Sequence, residues 1–480
     1  MFWNYNNSCE IQISLLDKFV KYSKNTLFGL DHKFKDIKNY EDFKSSVPIR
    51  SYEDLFPYIY KSKLGLKNIL WNGSPIYFIK TSGTSFGAKY IPVTADSIKN
   101  HIFSVRNILL NYVYETKKVN FLNGKMLFLS GNSKLSFLEK IPVGRLSGII
   151  NYHIPKYLLK NKLPSYDTNC ILDWEEKVDK IINESFNSNI TLISGIPPWI
   201  KMFFDKLFIK SHKKIKDIFK NFSLLIHGGV NFQPYSNSLF NIIGKRIDTI
   251  ETYPASEGFI AFQDSQKDKG LLLQLNNGIF FEFIKLSDYY SNNIKRLSVI
   301  DIEINVNYVI ILNGNNGLWG YVLGDTVKFL SKHPHRIIIT GRINSFISAF
   351  GEHVILDEVE ESISYALSNH KEVLIYEFTI APYFSNNQNY SCHEWFIEFI
   401  NPPEDIFSFS NSIEKKLKFL NPYYSNLINF KILNNLKIVS LKKNSFISYM
   451  KFNNKLGGQN KVPKLCNDRI IANDLLKYKL

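Results

Sequence analysis

Between Met126 and Glu251, strand-length apolar runs alternate with helix-length amphipathic ones, and this constrains the fold more than any other feature. Residues 126–129 read as a strand, 173–185 as a helix, 191–194 as a strand and 199–208 as a helix. Residues 224–227 then read as a strand, 234–243 as a helix and 247–251 as a strand. A parallel crossover needs a helix to return the chain to the same end of the sheet, so this order predicts a helix-covered α/β sheet.

On either side the pattern changes. The first seventy residues carry apolar positions at helical spacing over 11–22 and 53–64, expected to cover one face of the domain they precede. Residues 76–80 and 90–93 read as short strands, with Thr94 as N-cap of a helix through Ile98, Ile102, Val105 and Leu109. From 271 to 330 extended runs succeed one another without helices, which predicts an antiparallel or barrel-like subdomain. After Gly341 a smaller α+β segment begins, with an amphipathic helix over 356–367. The expected division is a large domain over 1–341, a tight hinge at 342–345 and a small domain over 346–480.

An apolar fraction of 45% with 21% charged residues belongs to a globular chain and excludes wholesale disorder. The net charge of +16 raises the question of a polyanionic partner. Its lysines are scattered, however, and Asn, Ile, Phe and Tyr are enriched alongside them, as AT-rich codons would produce. Nucleic acid is therefore not the expected partner. Cys9, Cys170, Cys392 and Cys466 are far apart, which fits neither a disulfide framework nor a thiolate metal site and points to a reducing compartment. Glu10 and Asp17 interrupt the start where a signal peptide needs apolar residues, and no apolar run approaches the roughly 18 residues that span a bilayer. A cytoplasmic location without membrane association is expected.

Four stretches carry chemistry. In Thr81-Ser82-Gly83-Thr84-Ser85-Phe86-Gly87-Ala88-Lys89, hydroxyls and glycines let backbone and side-chain donors converge on a polyphosphate, and Lys89 adds a charge. A hydrophilic hairpin turn has the same composition. Gly228-Gly229 and Glu251-Thr252-Tyr253-Pro254-Ala255-Ser256-Glu257 come after two of the strands, at the carboxyl ends where an open sheet binds ligands. The glycines leave room for a flat base, Tyr253 can stack on it, and Glu257 can hold Mg²⁺ against phosphate. Asp325, after Gly324, can accept both hydroxyls of a ribose, with Arg342 in support. Gly457-Gly458-Gln459-Asn460-Lys461 describes a flexible loop delivering a lysine. Taken singly, each also reads as a turn or a solvated surface.

Together, TSGTSFGAKYIPVT, ETYPASEGF, YVLGDTVKF, TGRINSFISAFGEHV and GGQNKVPKLCNDR resemble the successive motifs of the Gretchen Hagen (auxin-responsive) family of acyl acid amido synthetases, with its bacterial branch the nearer. HGGVNFQPY and SGIPPW add to the likeness, which runs from about Pro75 to Arg469. The family lies within the adenylate-forming superfamily. The resemblance implies a large domain of mostly parallel sheets with a barrel-like subdomain and a small mobile α+β domain. It also implies ATP and Mg²⁺, with Ser82, Gly83, Thr84, Ser85 and Lys89 over the phosphates and Tyr253 on adenine. Asp325 would take ribose with Arg342 nearby, Glu257 would hold the metal, and Lys461 would be the catalytic lysine. The implied partners are a small carboxylic acid and an amine or amino acid. Two departures stand out: a single residue, Ala88, separates Gly87 from Lys89 where the family has two, and Asn344 stands at the hinge. The rival readings are an acyl-CoA ligase using the same adenylate, a basic nucleic-acid-binding protein and a non-catalytic relative.

Overall fold

The computed structural model describes residues 7–81, 89–154, 159–230, 232–291, 294–343, 346–347, 349–350, 352, 354–384, 391–429, 432–453, 455–456 and 461–480. Ser82, Gly83, Thr84, Ser85, Asn344, Ser345, His353 and residues 457–460 lie outside them. The chain forms two compact units, one of residues 1–230 with 243–338 and the other of 231–242 with 339–480.

The strands of the first unit are β1 (Tyr77–Thr81), β2 (Lys89–Val93), β3 (Lys125–Leu129), β4 (Ser136–Leu138), β5 (Ile141–Gly144), β6 (Lys162–Leu163), β7 (Ile190–Gly195) and β8 (Leu224–Gly228). They continue with β9 (Asp248–Ala255), β10 (Gly258–Phe262), β11 (Leu271–Leu273), β12 (Ile279–Lys285), β13 (Asn307–Gly314), β14 (Tyr321–Lys332) and β15 (His335–Arg342), whose last residues enter the second unit. Each expected strand of the alternating region is present, and the three helices expected between them are Trp174–Ser185, Pro197–Ser211 and Gln233–Ile243. β6, β3, β7, β8 and β9 pair in parallel. Beyond β9 the same sheet continues antiparallel through β10, β11 and β15, and its far side is β14-β13-β12. The eleven-stranded sheet is therefore mixed, with its parallel half built from the alternating region.

The antiparallel half curls. Tyr253, Ile260, Leu271, Phe281, Ile310, Val327 and Ile337, one from each of seven strands, share a single buried cluster. A flat sheet would spread seven strands over about 29 Å at the usual spacing, too far for one shared core. The barrel-like expectation is met with one correction: Leu286–Tyr290 is a short helix inside the run read as all-extended. Five residues are too few for a 3.6-residue period to show.

A smaller sheet in the order β2-β1-β5-β4 lies beside it. Helices Ser8–Ser23 and Tyr52–Lys63 bury Leu16, Phe19, Leu55 and Ile59 in one core with Phe78, Ile91 and Trp319. Thr94 caps Ala95–Thr116, accepting from the Ser97 amide at 3.0 Å while Ser97 Oγ accepts from the Thr94 amide at 2.9 Å.

The second unit is α+β. A sheet of β18 (Leu374–Tyr383), β19 (Cys392–Asn401) and β20 (Asn434–Leu441) is preceded by the hairpin β16 (Phe346–Ile347) and β17 (Val354–Ile355). Helices Leu356–Asn369 and Ile406–Leu420 bury Ile363, Ala366, Ile413 and Leu417 against Phe378, Trp395 and Ile397. Phe396 and Val439 point to the opposite face, where Tyr449 and Leu475 cover them. No helix among the described residues is long and apolar enough to cross a membrane.

Candidate active site

β9 runs to Ala255, so Tyr253 lies within the strand and not in the loop after it. The curl of the sheet brings it to β14, four places away in the strand order. Tyr253 Oη donates to Asp325 Oδ2 at 2.6 Å, with both residues buried. Asp325 reaches this position through a bulge. Val309 faces Thr326 and Ile311 faces Val322, so residues 323–325 stand opposite Ile310 alone. Gly324 makes the bulge possible with φ +89°, a left-handed conformation that side chains disfavour, although open space surrounds its Cα.

A second rung lies four residues along the chain from each partner. Tyr321, at the head of β14, donates from Oη to Glu257 Oε1 at 3.2 Å across the β9–β10 turn. Asn316 Nδ2 holds the Glu257 carbonyl at 2.8 Å. Burial first, then the adjacent Glu257 carboxylate, push the Tyr321 phenol well above its ordinary value, so it remains a donor. Glu53 and Tyr52 act on the same phenol. Tyr52 lies 5.2 Å below Lys89 Nζ, measured to the ring centroid, and its hydroxyl accepts from the Tyr90 amide at 2.9 Å. Lys89 is the first residue of β2. β1 and β2 are antiparallel with Thr81 opposite Lys89, so the Gly/Ser/Thr segment joins two strands as expected.

Gly228 ends β8 beside this wall. A Cβ there would lie 2.3 Å from the Thr252 carbonyl oxygen, so close strand contact demands glycine at this position. The space it leaves is taken by Thr252, whose Oγ1 donates to the His227 carbonyl at 3.0 Å, and Gly229 is the first residue past the strand. Arg342 and Lys461 are exposed and belong to the second unit. Among the described residues no group of three or more His, Cys, Asp or Glu side chains could hold a metal by itself. Glu257 can offer one carboxylate, which suits Mg²⁺ bound mainly through phosphate oxygens and water.

One cluster was missed from the sequence. Past β3 and β5, Arg145 and Ser147 pack near Gly131, where a Cβ would lie 3.6 Å from Ser147 Oγ and 3.9 Å from Arg145 Cγ. Ser147 Oγ and His153 Nε2 are buried without a hydrogen-bond partner among the described residues. His153 meets Tyr77 of β1 edge-on at 5.6 Å, and burial pulls the Arg145 guanidinium below its ordinary value. Buried polar atoms without partners carry a desolvation cost that a bound polar group would remove. Nothing in a single Arg, Ser or His signals this. Tyr321 and Asn316 escaped notice for a similar reason, lying about sixty residues from their partner Glu257.

Comparison of folds places this architecture. A GH3.15 acyl acid amido synthetase superposes with a TM-score of 0.80 at 15% identity, covering 99% of this chain and 95% of that chain. AtGH3.15 in complex with 2,4-DB gives 0.80 at 14% identity, over 99% and 94% of the two chains. A 2-hydroxyisobutyryl-CoA ligase in the postadenylation state gives 0.58 at 10%, over 99% and 92%. The fold is that of the adenylate-forming enzymes. By sequence, the models of the GH3 family N-terminal, central and C-terminal domains match residues 4–170, 272–342 and 357–470. The chain belongs to the GH3 family, the one its motifs resemble. No curated protein matches it in sequence.

Proposed function

We propose that this protein is an ATP-dependent, AMP-forming ligase that activates a small carboxylic acid as its acyl-adenylate and passes the acyl group to an amine, by analogy with its family an amino acid. The observation that carries the reading is the pair of rungs, Tyr253–Asp325 and Tyr321–Glu257, which set two carboxylates on one curled wall. Asp325 takes the ribose hydroxyls, and Lys89 with Ser82, Gly83, Thr84 and Ser85 binds the phosphates. Glu257 would hold Mg²⁺, which supplies charge neutralisation on those phosphates. Lys461 shares the charge that grows at the α-phosphate.

In the first half-reaction a carboxylate oxygen of the acid bonds to the α-phosphorus as the bond to pyrophosphate breaks. In the second, the amine nitrogen bonds to the acyl carbon, the bond to AMP breaks, and the amine proton passes to solvent. Movement at residues 342–345, between the domains 1–341 and 346–480, would present Lys461 in the first step and withdraw it for the second. A cytoplasmic location is part of the same reading.

Pyrophosphate release screened over a panel of carboxylic acids, with product analysis in the presence of amino acids or CoA, tests the whole. The expected product is an amide. Thioester alone would establish the CoA-ligase alternative instead. Arg145 and Ser147, which meet at Gly131, are the proposed seat of the acid's carboxylate. Arg145→Ala is expected to raise KM for the acid about 10- to 100-fold, the value of a lost charged hydrogen bond, with KM for ATP unchanged. Equal effects on both substrates would remove the acid from this site.

A further inference from the structure

Lys461 sits at the start of a segment fastened to β18 by its backbone at one residue. Ile380 bridges to Leu465 in parallel, its amide donating to the Lys464 carbonyl at 2.8 Å and its carbonyl accepting from the Cys466 amide at 2.9 Å. Thr379 Oγ1 donates to the Pro463 carbonyl at 2.6 Å. Val462 is buried in one core with Phe396 and Cys466, so the segment is held right up to Lys461.

A side-chain ion pair adds to that hold. Lys464 Nζ pairs with Glu377 Oε1, and its ammonium lies 4.4 Å from the Phe378 ring centroid. The pair is mostly shielded, at 16% and 12% exposed. Glu377 is itself held twice more, by the Phe378 amide on Oε1 at 2.8 Å and by Tyr235 Oη on Oε2 at 3.1 Å. Tyr235 is buried on Gln233–Ile243, the helix after β8, whose residues 231–242 belong to this unit. A carboxylate with both oxygens engaged is a fixed anchor, and the contact lies three residues from Lys461.

We propose that Lys464 and Glu377 form a clamp that positions Lys461 for adenylation without touching substrate. The proposal rests on the role given to Lys461 above. A lysine displaced by about 1 Å from a reacting phosphate can cost about 100-fold in rate, so a further tether on its segment acts on kcat more than on binding.

The test uses Glu377→Gln, Lys464→Met and Lys464→Arg in the full chain, read by two independent measurements. In hydrogen exchange, the first two variants are expected to lose about tenfold of the protection of the Cys466 amide, as a local opening would produce. In acid-dependent ATP–pyrophosphate exchange, they are expected to lose about 10- to 100-fold in kcat with KM for ATP within about twofold. Lys464→Arg should restore kcat to within about threefold, because a guanidinium pairs with the same carboxylate. Unchanged protection and kcat in folded Glu377→Gln would overturn the clamp. So would a loss of folded protein with normal kcat per folded molecule, or an arginine variant no better than methionine. Absence of exchange in the unaltered protein with every acid would defeat the adenylation reading instead, and the amide protection would still decide the clamp.

Discussion

Asp325→Asn is expected to lower acid-dependent ATP–pyrophosphate exchange by about 100- to 1,000-fold, the loss of two charge-assisted hydrogen bonds to ribose. Asn has the shape of Asp, so the bulge at residues 323–325 and the positive φ of Gly324 are undisturbed. Tyr253 can still pair with the amide, and a hydroxyl serves as donor or acceptor. What disappears is the negative charge, held on a buried wall where a charge-assisted bond has most value. KM for ATP should rise, and thermal unfolding should shift little. Retention of more than about a tenth of the exchange rate would leave less than the 1.5–3 kcal/mol of one such bond to Asp325 and remove it from the nucleotide site.

The second large effect concerns stability. Glu282 on β12 is fully buried and bonded on both oxygens. Arg296 reaches it in a fork, Nε to Oε1 at 2.8 Å and Nη2 to Oε2 at 2.6 Å. Tyr40 Oη and Asn313 Nδ2 add bonds of 2.8 Å to Oε1 and Oε2. The other arm of Arg296 donates to the carbonyls of Lys44 and Val47, fastening the end of helix Tyr40–Ser46 to the curled sheet. Glu282→Gln leaves the guanidinium buried and uncompensated, and should destabilise the first unit by about 3–5 kcal/mol. Replacing both partners, Glu282→Leu with Arg296→Met, should cost less than the single change, because no stranded charge remains. Denaturant unfolding of the three proteins compares them directly. A double variant at least as unstable as the single one would mean the ion pair contributes more than charge compensation.

Much of this architecture was legible residue by residue. β3, β7, β8 and β9 fall where apolar runs sit between amphipathic helices, and the Thr94 cap falls where a hydroxyl precedes the helical spacing. These features are local: a strand or a cap is decided by residues within a few positions of it. The two rungs of the site were legible only by half. Asp325 and Glu257 stand out in their motifs, whereas Tyr321, Asn316 and the Arg145 group acquire meaning from neighbours distant in the chain. The close contact at Gly228 is of the same kind, since only the packed structure shows Thr252 against it.

The sequence by itself determined the alternation of strands and helices over residues 173–251, the barrel-like antiparallel region, the strand-to-strand glycine loop and the family. Tertiary structure alone decided which polar groups meet: that Tyr253 is bonded to Asp325, that Glu257 leans on Tyr321, and that Lys464 closes on Glu377. The physical reason is range. Hydrophobic spacing fixes the face a side chain presents within its own element, whereas closure of a curled sheet brings together faces whose separation along the chain no local pattern records.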